Sequence, residues 1–259
     1  MMTMTAFRRV TRTVAMIAFL ATTCGWSAGF AMTARVQEEK PAEPAAQNEA
    51  PKTGEKAQAD TKGLKPIDLK LPRPQFKGTP KNAPPGTNLE PPRKGPRPAF
   101  LAPEGVTNVA RGKTPLPSDK DPIIGETKFV TDGEKEANEG TYVEYGPGVQ
   151  WVQIDLGKPM SIYAIVFWHF HQSARIYHDV VLQVADDKDF VTNVRTLFNN
   201  DHDNSAGLGL GSDKEYWETY EGKLVDAGGQ KARFVRLYSN GSIADDQNHY
   251  VEVEVWAKE

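Results

Sequence analysis

The run Gln150-Trp151-Val152-Gln153-Ile154-Asp155-Leu156-Gly157 alternates without a break, with Val152, Ile154 and Leu156 on one side and Trp151, Gln153 and Asp155 on the other. A period of two stopped by a glycine is that of a half-buried β-strand. Apolar runs of strand length recur towards the C-terminus. The predicted strands are 107–110, 128–131, 150–156, 161–170, 178–185, 193–198, 215–221, 231–239 and 250–257. Turn residues separate them, among them Gly146-Pro147-Gly148, Gly157-Lys158-Pro159, Gly228-Gly229 and Asn240-Gly241. No stretch carries a helical period beyond two turns. Many short strands without helices predict an all-β, two-sheet antiparallel sandwich.

The chain ahead of these strands has a different texture. Of the 19 prolines in the whole sequence, 14 lie between Pro41 and Pro103, where aromatic residues are almost absent. Such a segment buries too little apolar surface to offset chain entropy. Residues 35–103 therefore read as a disordered, proline-rich linker, and 104–259 as the folding domain, a comfortable size for one core. Residues 1–34 read as an export signal: Arg8, Arg9 and Arg12 precede an apolar run at 14–21, and small residues accumulate towards Ala31 and Ala34. A retained anchor is the alternative, although Thr22, Thr23, Gly25 and Ser27 dilute the apolar stretch. The expected location is secreted, periplasmic or on the cell envelope.

Charge and cysteine narrow the function. From Glu104 onward there are 15 Lys+Arg against 26 Asp+Glu. An acidic domain cannot neutralise phosphates, which excludes nucleic acid, and anionic membrane surfaces are disfavoured for the same reason, so no membrane insertion of the domain is expected. The only cysteine is Cys24, so the domain has no disulfide, no thiolate nucleophile and no cysteine-based zinc site. Phosphate loops, Gly-x-Ser-x-Gly and His-Glu-x-x-His are absent, and paired acids such as Asp186-Asp187 sit in turn-like segments. No enzymatic activity is expected.

Five stretches, in order, resemble a known family: Asn108-Val109-Ala110-Arg111-Gly112-Lys113, Thr131-Asp132-Gly133-Glu134, the Gln150–Gly157 run, Ala232-Arg233-Phe234-Val235-Arg236-Leu237 and Glu252-Val253-Glu254-Val255-Trp256. The family is the discoidin, or coagulation factor 5/8 type C, domain, a galactose-binding-like jelly roll similar to family-32 carbohydrate-binding modules. The resemblance implies an eight-stranded jelly roll without catalytic machinery, and Trp151 and Asp155 as scaffold. The tryptophan that often follows the Asp-Gly motif is replaced by the polar run 134–141, and the cysteine pair of animal members is missing, which suits a bacterial-type relative.

The resemblance also implies sites. A structural calcium would take Asp132, Glu134 and Glu252 as side-chain ligands, with Phe129 and Val251 offering backbone carbonyls. Ala137 stands where the family often has a threonine ligand, and a capped turn with a surface glutamate accounts for the same residues. In the sugar-binding modules an arginine and an aromatic or polar residue before the last strand grip the ligand. The matching places are Arg175 and Asn248-His249-Tyr250, joined by Asn240, while His169, His171, Tyr177 and His178 complete the densest polar-aromatic cluster. Planar donors beside flat rings suit a sugar. His169 and His171, two apart, with Asp179, also have the make-up of a transition-metal site, although most such pairs are only hydrogen-bonded. Asp201, Asp203 and Ser205 begin like a calcium loop, but Ala206 and Ser212 break the pattern, which leaves an Asx-rich loop. Two partners fit: a glycan, or a cell-surface component met by a structural or adhesion domain without a sugar site.

Overall fold

The computed structural model describes residues 63–75, 80 and 88–259. The predicted export signal and the linker residues 35–62, 76–79 and 81–87 lie outside the described residues. Among the described residues no helix is long and apolar enough to cross a membrane.

The fold is the expected antiparallel β-sandwich. Its strands are β1 (Leu64–Pro66), β2 (Leu101–Pro103), β3 (Thr107–Asn108), β4 (Leu116–Pro117), β5 (Val143–Tyr145), β6 (Gln150–His169), β7 (Val181–Ala185), β8 (Arg195–Asn199), β9 (Lys223–Ser239) and β10 (Asn248–Lys258). β1 and β2 pair apart from the rest, while the others join in the order β3-β10-β6-β9-β7-β8, with β4 added to β6 and β5 to β10. Two strands run through both layers. The first half of β6 pairs with β9 from Gln150↔Ser239 to Asp155↔Phe234, and the second half pairs with β10 and with the start of β9.

Between the halves the ladder slips at Asp155/Met160 and again at Ile162/Ala164. The second slip changes which face each residue takes. Ile162, Ile165 and Phe167 join Val152 and Ile154 in the main core, and Ala164, Val166 and Trp168 face outward. On β9 the bend falls at Gly228-Gly229, both at positive φ (60° and 78°), a region that side chains with a Cβ seldom adopt. The Gly157-Lys158-Pro159 breaker is thus a bend inside one strand. Predicted strands 150–156 and 161–170 are continuous, and 231–239 extends back to Lys223.

Two predicted strands are corrected. Residues 128–131 lie in a 3-10 helix, Thr127–Thr131, held by i→i+3 bonds from the Phe129 amide to the Glu126 carbonyl and from the Asp132 amide to the Phe129 carbonyl. A four-residue apolar run has no period long enough to tell the two apart. Residues 215–221 form no ladder beyond the bridge of Glu215 to Leu89: the Glu218 amide donates to the Arg175 carbonyl, and the segment closes in a turn at Thr219–Gly222.

The described part of the predicted linker lies on the domain. Ile67, Leu69 and Phe100 pack on the outward cluster of Ala164, Val166, Trp168, Val251 and Trp256. Farther along, Glu90 donates its amide to the Glu215 carbonyl, and Arg97 donates from its amide and guanidinium to the Glu221 side chain and to the Glu221 and Gly222 carbonyls. An outward tryptophan face left bare by the sandwich is what these few apolar residues cover.

Candidate functional site

Register brings the first partners together. β5 and β10 pair with His249 opposite Glu144, which places His249 Nε2 3.2 Å from Glu144 Oε2. The loop after β6 then runs antiparallel to the loop between β9 and β10. The His178 amide donates to the Gly241 carbonyl and the Ile243 amide to the Ile176 carbonyl. That irregular ladder carries Arg175 to Asp245, where Nη1 donates to Oδ2 at 2.7 Å. The Arg175 guanidinium also lies 4.9 Å above the Phe170 ring, while its buried Nε has no partner. Phe170 meets Tyr142 edge-on at 5.2 Å, and both rings lie against His249. Phe170, Tyr142, Arg175, Asp245 and Glu144 are all partly exposed, so the cluster opens to solvent.

Beneath it runs a buried polar chain. His249 Nδ1 is 3.0 Å from the Tyr177 hydroxyl, Tyr177 stacks on His169 at 4.4 Å, and His169 Nδ1 lies 2.8 Å from Glu218 Oε1. Burial, then the facing Arg175, pushes the His249 imidazole down to about 4, outweighing Asp245. A neutral ring between these partners accepts from the Tyr177 hydroxyl at Nδ1 and donates from Nε2 to Glu144. Burial and the nearby Asp245 raise the Glu144 carboxyl. The result is a shallow surface with one cation, two flat rings and two carboxylates held by a rigid floor.

The other predicted ligand residues lie elsewhere or are fully engaged. His171 is buried with Nε2 2.8 Å from the Lys135 carbonyl, away from Arg175. Asn248 donates to the Gly146 and Gly148 carbonyls and accepts from the Ser239 hydroxyl and the Gly241 amide, so it clamps the turn. Asn240 donates to Asp179, and His178 faces Glu215 at 3.6 Å. Tyr142, Glu144, Phe170, Glu218 and Asp245 were missed by reading the sequence. Of these, Phe170 sits in the run with His169 and His171, Glu218 in the predicted strand 215–221, and Asp245 in a paired-acid turn read as solvated charge.

The residues of the predicted metal turn are neighbours, but among the described residues Asp132, Glu134 and Glu252 do not gather their carboxylate oxygens within 4.8 Å of one another. Glu252 is fully buried beneath Asp132-Gly133-Glu134, accepting the Gly133 amide at 3.1 Å with Oε2 and leaving Oε1 without a partner. Burial pushes its carboxyl up to about 9. Gly133 sits at φ 91°, and a Cβ there would come within 3.1 Å of the Arg111 guanidinium. Asp132 and Glu134 accept amides of their own loop. An orphaned buried carboxylate oxygen beside a turn of oxygen donors fits a hard cation. A second acidic group, Asp179, Asp201 and Asp203, brings its oxygens within 4.8 Å of one another. There Asp201 accepts the Ser205 and Ala206 amides and Asp203 accepts the Ser205 amide, as an Asx-rich loop does. Among the described residues no histidine joins such a cluster.

No protein-family model matches the chain, and no curated protein does. Solved structures similar to it include carbohydrate-binding modules and a family 89 glycoside hydrolase from Clostridium perfringens, the latter over a small share of its own length. One is the CBM32 of AlyQ in complex with 4,5-unsaturated mannuronic acid, at 12% identity and TM-score 0.41, covering 54% of this chain and 92% of that one. A Streptococcus pneumoniae fucose binding module shares 16% identity at TM-score 0.42, covering 59% and 99%. The chitosan-binding module 1 of a chitosanase/glucanase from Paenibacillus sp. IK-5 shares 19% identity at TM-score 0.38, covering 57% and 97%.

Proposed function

We propose that the chain is an exported, non-catalytic module that binds carbohydrate at the Arg175–His249 cluster. The observation that carries the reading is the convergence of the partly exposed Arg175, whose guanidinium makes one side-chain bond, to Asp245, on the half-exposed rings of Phe170 and Tyr142, beside His249. A sugar needs such directional donors and acceptors next to a flat apolar surface. The acceptors are Glu144 and Asp245. Export rests on the basic, apolar and small-residue order of residues 1–34. Screening the full chain on a glycan array tests the reading. Arg175→Ala and His249→Ala should each lower glycan retention about tenfold or more, and no retention at millimolar ligand would sink it. Specific capture of an envelope protein, indifferent to added sugar, would favour the adhesion reading instead.

The same reading places a structural calcium at Glu252, with Asp132 and Glu134 and the carbonyls of Phe129 and Val251 as the other ligands. The ion would neutralise the buried carboxylate and hold the turn to β10. Because Glu252 keeps its proton up to about pH 9, calcium has to displace that proton at neutral pH. Calcium affinity by titration calorimetry should therefore rise up to about tenfold per pH unit between neutrality and that value. A flat profile, or one unchanged in Glu252→Gln, removes the ion from this position.

A further inference from the structure

The proline-rich segment and residues 215–224 run side by side. Leu89 bridges Glu215 in parallel, and eight residues later Arg97 is fixed to the Glu221 and Gly222 carbonyls. Between these two anchors lie Pro91, Pro92 and Pro96, which have no amide to donate, and the walls stand apart there. The gap is a cleft of about 490 Å³, lined on the other side by Tyr216, Trp217 and Tyr220. That volume falls within the range of about 300–1,000 Å³ common to small-ligand sites.

We propose that this cleft is a second ligand site that takes an uncharged oligosaccharide. Three features specify that class. Trp217 and Tyr220 are half-buried, so each keeps ring surface for an apolar sugar face. The charged groups of the lining are already engaged within the fold: Arg93 binds Glu221, Lys223 binds Glu90, and the Arg97 guanidinium donates to the Glu221 and Gly222 carbonyls, although three cations face two carboxylates. Both walls are pinned at their ends, by the Leu89–Glu215 bridge and by the Arg97 bonds, so the opening is preformed. The site is separate from the Arg175–His249 cluster. Along one segment Glu218 turns inward to His169, and its neighbour Trp217 turns outward into the cleft.

Calorimetric titration of the full chain with chitotetraose, cellotetraose and xylotetraose tests the proposal. In an Arg175→Ala background, which takes the loop site out of the readout, at least one should still saturate, with affinity about tenfold weaker when Trp217→Ala is added and largely kept with Trp217→Tyr. Failure of all three to bind at millimolar concentration overturns it. So does binding that Arg175→Ala abolishes and Trp217→Ala spares, a result that would leave the loop site standing.

Discussion

Arg236 and Arg175 both lie over aromatic rings, yet one is locked and the other is not. Arg236 sits 4.3 Å from the Trp151 ring and 4.0 Å from that of Phe190, and donates twice to Gln153 Oε1, once to the Tyr238 hydroxyl and once to the Lys188 carbonyl. Its β9 position faces Gln153 directly in the β6 register. Arg175 rests on Phe170 alone, makes one carboxylate bond and keeps a buried Nε without a partner. The guanidinium with all three nitrogens engaged belongs to the scaffold. The one held by a single carboxylate bond keeps further Nη donors for a ligand. Arg233, paired to Asp155 through two bonds of 2.7 and 2.8 Å, stands with Arg236.

The largest effect should come from pH, and only at the Arg175 end. His249 stays neutral in the folded chain down to about 4, whereas the unfolded chain takes up the proton near 6.5. Its contribution is intact above about 6.5, is lost as pH falls towards 4 and reaches about 3 kcal/mol. Denaturant melts of wild type and His249→Gln should differ in slope across that window; parallel curves would break the contrast between the two ends. Arg236→Ala comes next, with a loss of about 2 kcal/mol and a fall in Tm of about 4–8 °C, and glycan retention unaltered. Smallest is the stability change in Arg175→Ala, under about 1 kcal/mol for a single, partly exposed ion pair. Equal destabilisation by the two alanines, read in the same melts, would erase the distinction.

The legible parts of the fold were those with a local period. Val152, Ile154 and Leu156 fall in the core as their alternation required, and Trp151 and Asp155 are held by arginines of β9. The face reversal at Ile162/Ala164 was illegible because one slipped residue inverts every later side chain without changing composition. The packed segment was hidden by counting prolines, although Ile67 and Leu69 alternate with Asp68 and Lys70 as a half-buried strand would. At the site, the residue types Arg175, Tyr177 and His249 were readable. Their partners Glu144, Asp245 and Glu218 come from three other elements, and only the β5–β10 register and the loop ladder bring them in.

Because β6 and β9 pass without interruption through both layers, neither layer has ends of its own. Separating the layers means tearing the same two strands that hold each of them together. Amide hydrogens on either side of the bends at Gly157 and Gly228 should then exchange with solvent at one common, slowest rate, through opening of the entire sandwich. A ligand pulled across the loops would load two covalent backbones rather than a seam between sheets.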